Sequence, residues 1–127
     1  MSETLTRGIR VKISCQFMPE PSSPTQKMWI FAYQVEIANE GDETVQLLNR
    51  HWLITHGDGR VEEVRGAGVI GKQPHIHPGE RHRYSSMCPL TTPVGSMRGS
   101  YQMLSESGER FNATIDPFVL ATPHALN

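Results

Sequence analysis

A surplus of charge is the first thing this sequence lacks, and the lack narrows its partners. Lysine and arginine number 12 against 13 aspartates and glutamates, a formal net charge of -1. No long-range field therefore draws the chain to DNA, RNA or an acidic membrane, and nucleic acid is not expected as a partner. Long apolar runs are missing too. The longest, Met28 to Tyr33, is six residues, whereas a membrane-spanning helix needs about 20, so no membrane insertion is expected. Met1 to Arg7 is polar and has no apolar segment behind it of the kind a secretory signal carries, and the chain reads as cytoplasmic. Cysteine is scarce: Cys15 and Cys88, without an export signal, read as small buried hydrophobes kept reduced rather than as a disulfide.

What is present is alternation with a period of two. Ile9, Val11, Ile13, Cys15 and Phe17 are apolar between polar neighbours, the signature of a half-buried strand. The segment Met18 to Lys27 carries Pro19, Pro21 and Pro24 and reads as a loop or an edge excursion. Trp29 to Ile37 alternates again. Val45 and Leu47 share one phase while Trp52 and Ile54 share the opposite one, so a bulge is expected between Leu48 and Arg50. The Asp58-Gly59 step suits a tight hairpin into a short strand at Arg60 to Val64. Arg81 to Cys88, Gly95 to Met103 and Arg110 to Ile115 complete seven strands, with Phe118, Val119 and Leu120 docking the tail before it frays towards Asn127. No long segment has helical periodicity. Residues 1–127 are accordingly expected to form one all-β domain, an immunoglobulin or fibronectin type III-like β-sandwich of about seven antiparallel strands in two sheets. A chain of this length buries about two-thirds of its unfolded surface and needs no metal or disulfide staple.

The longest aperiodic stretch, Gly66 to Gly79, contains the spacing GxGxxG at Gly66, Gly68 and Gly71, followed by Lys72. Glycines so spaced can turn several amide donors towards one phosphate. Pro74 and Pro78 forbid the helix that a dinucleotide fold or a P-loop would place next, and Gln73 stands where a P-loop has its magnesium-binding hydroxyl. Nucleotide hydrolysis is excluded on that ground. Two readings of the stretch stay open: a bend between the sheets, or an anion-binding loop made by Gly66, Gly68, Gly71 and Lys72. His75 and His77, two apart in a Pro-flanked extended segment, are weak candidates for a transition metal, with Glu80 the only nearby carboxylate. Trp52, in phase with Ile54, reads as core, which turns His51 to the opposite face. No spacing of nucleophile, base and orienting group is legible, so neither catalysis nor a cofactor is expected.

Taken together, several motifs resemble those of the ApaG family. They are Arg50-His51-Trp52 with Ile54-Thr55, Gly66 to Gly71 through Gln73-Pro74, Pro78-Gly79-Glu80, Tyr84-Ser85-Ser86, Cys88-Pro89-Leu90, Gly99-Ser100-Tyr101-Gln102-Met103, and Ile115-Asp116-Pro117-Phe118. The likeness runs from about Ile9 to Leu120. It implies a fibronectin type III-like sandwich of two antiparallel sheets and no established enzymatic activity. It also implies a genetic association of bacterial members with cobalt resistance and magnesium efflux, and an interaction role in similar eukaryotic domains. The chain departs from the family pattern at Ala67 and Lys72, where an acidic residue is common, and at His56, in place of a frequent Asp. Those changes weaken magnesium binding, which wants oxygen ligands, and favour anions. The expected function is a small soluble binding module for an unidentified protein partner. The alternatives are a sensor of phosphate-containing small molecules and an accessory to cobalt or magnesium efflux. A dimer is compatible with each.

Overall fold

Alternating side chains fold this sequence into two antiparallel sheets, described over residues 1–125 by a computed structural model. The expected fraying at Asn127 lies outside those residues. One sheet has the order β1 (Ser2–Thr6), β2 (Ile9–Ser23), β3 (Met28–Asn39), β7 (Arg81–Leu90). The other runs β5 (Val61–Ala67), β4 (Val45–His56), β8 (Val94–Ser105), β9 (Arg110–Ala121), with the two-residue β6 (His75–Ile76) also paired to β4. The seven expected strands are all here, as β2, β3, β4, β5, β7, β8 and β9, in a β-sandwich; β1 and β6 are additional.

The core is the inward phase of each strand. Ile9, Val11 and Ile13 of β2, Phe31, Tyr33, Val35 and Ile37 of β3, and Tyr101 and Met103 of β8 are buried together. The expected bulge on β4 is present. Leu47 faces Met103 and Asn49 faces Gln102, which leaves Leu48 as the extra residue on β4. The phase change puts Val45, Leu47, Trp52 and Ile54 on the same buried face. A second irregularity separates the pairs Met97–Phe118 and Gly99–Ile115. Pro117 falls inside it, where a missing amide costs no ladder bond. The tail after Ile115 is therefore more strand rather than a docked coil: Phe118 and Leu120 are buried, while Val119, expected to dock, is 52% exposed.

Two further differences follow from the same bookkeeping of backbone groups. Met18 to Ser23, expected as a loop or excursion, stays extended. It leaves the ladder between the pairs Met18–Ile30 and Ser23–Met28, which frees Pro19 and Pro21 from any need to donate. The Ser22 hydroxyl stitches this bow, donating to the Met18 carbonyl at 2.6 Å and accepting from the Ile30 amide at 2.8 Å. β1 has no apolar face for a periodicity reading to find, since Leu5 is largely exposed. It is held by hydroxyls: Ser2 donates to the Asp116 carbonyl at 2.9 Å, Thr4 to that of Thr114, and Thr6 accepts from the Thr114 amide at 3.3 Å. The sandwich is thus closed along β1 and β9. On the other side β7 and β5 end their sheets as edge strands.

Gly99 marks where the sheet leaves no room. A Cβ there would lie 2.0 Å from the His51 carbonyl oxygen, a backbone atom that cannot step aside. Gly99→Ala is expected to cost about 3 kcal/mol, read in urea as a lower midpoint at unchanged slope.

Candidate functional site

β5 and β6 are two pieces of one edge strand. Both run antiparallel to β4, β5 beside Asn49 to Thr55 and β6 beside Val45 and Gln46. Residues 68–74 loop out between them, opposite the bulge. The Leu48 carbonyl accepts from the Gly68 amide at 2.8 Å and from Gln73 Nε2 at 2.9 Å, and the Leu47 amide donates to the Pro74 carbonyl at 3.0 Å. The glycine motif is therefore an outward excursion of one strand rather than a bend between the sheets.

Each glycine of the motif has a local reason. Gly66 sits across from Arg50 in the β4–β5 register, and a Cβ there would come within 2.7 to 2.8 Å of three guanidinium atoms. Its bareness lets Arg50 lie flat over β5 and donate from Nη1 to the carbonyls of Ala67 at 3.2 Å and Gly68 at 3.0 Å. Gly68 has φ +62, and a Cβ would stand 2.1 Å from the Lys72 carbonyl oxygen. Gly71, at φ +72, is the second central residue of a two-residue hairpin closed by mutual bonds between Val69 and Lys72 at 2.8 and 3.0 Å. The first central residue is Ile70, at φ 47. Positive φ at both positions is the mark of a type I′ turn, which wants Asn or Gly, and a β-branched residue there is strained. Ile70 is nonetheless 62% exposed at the tip. The amides of Val69 and Lys72 are taken inside the loop and that of Gly68 by the Leu48 carbonyl, so among the described residues Ile70, Gly71 and Gln73 keep the unbonded ones.

Beside the loop, the outer face of the β5-β4-β8-β9 sheet is hollowed into a polar trough of about 480 Å³, bordered by Asn49, His51, Arg65, Ala67, Gln102 and Asn112 among others. Asn49 Nδ2 donates to Gln102 Oε1 at 2.6 Å. His51, turned away from Trp52 as alternation requires, meets Glu63 at 2.8 Å, and Arg65 reaches the same carboxylate at 3.3 Å. The hydrogen bond from His51, with that from Arg65, holds the Glu63 carboxyl below its ordinary range.

The histidine candidates are separated in role. His77 Nδ1 is 2.9 Å from the Thr44 hydroxyl, and its backbone amide donates to Glu80 at 2.9 Å, so these contacts tie down the turn before β7. His75 is exposed on β6. Among the described residues no three His, Cys, Asp or Glu side chains come together as a metal site would need. His56 is buried, with Nδ1 accepting from the Thr91 amide at 3.1 Å and Nε2 3.2 Å from Glu62, so it links β4 to the end of β7.

A cavity that the sequence reading missed lies between the sheets on their open side. It measures about 190 Å³, and its lining includes Tyr33, Arg50, Trp52, Glu62, Val64 and Cys88. Only the bulge could have signalled it, because the phase change puts Arg50 on the inner face with Trp52. Burial pushes the Cys88 thiol up from 9.0 to about 12. A thiol whose folded value lies above its unfolded one contributes stability that is whole below about pH 9 and lost as pH rises towards 12. Two outcomes are expected: stability falling over that range by denaturant titration, and native Cys88 resisting iodoacetamide at mildly alkaline pH while the part-exposed Cys15 reacts faster.

Comparison with known proteins places these features. The ApaG domain model matches residues 19–105. Protein ApaG of Pseudomonas paraeruginosa is 53% identical over 127 residues, the whole of both chains. Protein ApaG of Azotobacter vinelandii is 54% identical over 119 residues, 94% of each chain. The crystal structure of the ApaA protein of Bordetella pertussis superposes with a TM-score of 0.89 at 46% identity, covering 91% of this chain and 94% of that one. The C-terminal domain of Wzt, at 11% identity and a TM-score of 0.57, shares the fold alone.

Proposed function

The chain belongs to the ApaG family, and from that premise we propose that it is a cytoplasmic protein-binding module that docks its partner with the tip of the β5–β6 loop and the polar trough beside it. The observation that carries this reading is Ile70. An isoleucine in left-handed conformation costs about 1 to 2 kcal/mol over its right-handed alternatives, and an apolar side chain in water recovers none of that. Strain held at an exposed apolar tip is what a contact residue would leave in the free protein. The trough adds paired amides and a His51–Glu63–Arg65 cluster, the mixture of donors and acceptors found around the rim of protein interfaces. The proposed role involves no catalysis and no cofactor.

A phosphate-ligand role for Gly66, Gly68, Gly71 and Lys72 has less support, since three of the loop's amides are already bonded within it or to Leu48. An accessory role in cobalt or magnesium efflux would have to draw on His75 and His77, which belong to no group of three potential metal ligands among the described residues.

Ile70→Asn separates stability from binding. Asn-Gly is the preferred type I′ pair, so the variant is expected to gain about 1 kcal/mol in thermal or denaturant unfolding. It is also expected to lose the stoichiometric partner that the immobilised native chain retains from cell extract. Retention of the same partner by both chains would defeat the reading.

A further inference from the structure

β7 pairs with β3 on one side and, among the described residues, with no strand on the other. In an antiparallel ladder alternate residues turn both backbone groups to the same neighbour, and bonds at the strand ends fix which residues do so here. The Ile30 amide meets the Ser22 hydroxyl of β2 at 2.8 Å and the Glu40 amide reaches the Gly8 carbonyl at 2.7 Å, so the even residues of β3 serve β2 and the odd ones β7. Asn39 agrees, donating to the Glu80 carbonyl at 3.0 Å and accepting from the Gly79 amide at 2.8 Å. The β3–β7 register then ties His82, Tyr84, Ser86 and Cys88 to β3 and turns the backbone groups of Arg81, Arg83, Ser85, Met87 and Pro89 outward. Thr91, the next odd residue, follows suit: its amide leaves the sheet for His56 Nδ1 at 3.1 Å.

A sheet edge is ordinarily blunted by charge, proline or a cover. β5 carries Glu62, Glu63 and Arg65 and β1 is closed onto β9, but β7 has no charge from Tyr84 to Leu90. Its one device is Pro89, which stands on the outward side, costs the β3 ladder nothing and offers an incoming strand a carbonyl without an amide. The remaining pattern is self-complementary about Ser85. A second β7 laid antiparallel with Ser85 against Ser85 sets Arg83 against Met87 and Arg81 against Pro89. Every outward amide then finds a carbonyl, and the proline is asked only to accept. Moving the axis to Met87 sets Ser85 against Pro89, and Arg83 against Thr91, whose amide already serves His56. Charge agrees with the Ser85 axis. Arg83 keeps Glu36 at 2.7 Å, and the two copies of Arg83 stand four residue steps apart, about 13 Å along the strand and beyond the screening length of about 8 Å at physiological salt.

We propose that the β7 edge binds a second copy of this chain, the two strands pairing antiparallel about a two-fold axis at Ser85 and joining their β1-β2-β3-β7 sheets into one. Met87, 56% exposed in the single chain, then lies beside the apolar stem of Arg83 from the second copy. A foreign strand would meet the same donors, but the position of Pro89 selects a partner with a matching gap, and β7 itself has that gap. One strand pair is a small interface, so the association is weak and depends on concentration. The pairing does not rest on the role given to the Ile70 tip.

Sedimentation equilibrium of the full chain from micromolar to millimolar concentration is expected to show a monomer–dimer equilibrium. Over the same range deuterium exchange is expected to slow at the amides of Arg83, Ser85 and Met87 and to stay unchanged at Tyr84 and Ser86, which are already bonded to β3. Ser85→Lys sets two ammonium groups face to face across the axis and is expected to weaken the dimer about tenfold or more, an effect that high salt partly reverses. Ser85→Pro removes the axial donor without touching the β3 ladder and supplies the same comparison should the lysine variant not fold. In a Cys15→Ser background, Ser85→Cys is expected to form a disulfide-linked dimer on oxidation, since facing residues of a hydrogen-bonded pair have Cα atoms about 5.5 Å apart. Met87→Cys, four residue steps from its own copy, is expected not to. A chain that stays monomeric at millimolar concentration, a dimer unchanged in both folded Ser85 variants, or cross-linking through Met87→Cys in preference to Ser85→Cys would overturn the proposal.

Discussion

The indole of Trp52 is the piece through which the two sheets grip one another. It meets Tyr33 of the facing sheet at 5.5 Å between ring centroids, and Tyr101 and Phe118 of its own sheet at 6.2 and 6.1 Å, each contact edge-on. Edge-to-face pairs of this kind contribute about 0.5 to 1.5 kcal/mol apiece beyond the area they bury. Three of them on one residue make it the junction of β3, β4, β8 and β9. The indole can stand there only because β4 carries one extra residue at Leu48. Without that residue the phase set by Val45 and Leu47 would turn Trp52 to solvent and bring His51 inside, and the core would lose its centre.

The same bulge organises everything on the open side. It turns Arg50 inward next to Trp52, and it exposes the Leu48 carbonyl as the point from which the β5–β6 loop is hung. Gly66 is bare because Arg50 covers it, Gly68 because the loop doubles back on Lys72, and Gly71 because a two-residue hairpin needs its φ. A motif that reads as a phosphate cradle is thus accounted for by a guanidinium, a close carbonyl and a turn. The asymmetry between the two sides of the sandwich has an equally local origin. Hydroxyls on β1 saturate backbone groups of β9, whereas nothing covers the β5 and β7 edges among the described residues. Charges along β5 guard that edge against chance pairing, while β7 carries none from Tyr84 to Leu90.

Much of this was legible before any coordinates. Alternation identified the seven principal strands, and the conflict of phase between Leu47 and Trp52 located the bulge. What escaped was structure with no apolar period. β1 is a ribbon of Ser, Glu, Thr and Leu with its one large hydrophobe in water, β6 is too short to show any period, and β9 changes phase at Asp116–Pro117 just where proline suggests an end. The site was less legible than the fold. GxGxxG could be seen, but not that Gly66 faces Arg50, because that pairing is a matter of register between strands whose sequence separation says nothing about it.

The amino-acid order by itself determined which side chains face inward, since a period of two leaves only one phase for the apolar set, and the bulge follows from keeping that set on one side. It also determined that the chain lies in the ApaG family, through motifs spread over most of its length. Only the tertiary structure decided which polar groups find partners. The mutual bonds of Val69 and Lys72, and the Trp52 N–H without an acceptor and the Arg50 charge without an ion pair among the described residues, arise from distances between strands, and hydrogen bonds are made or lost over less than an ångström.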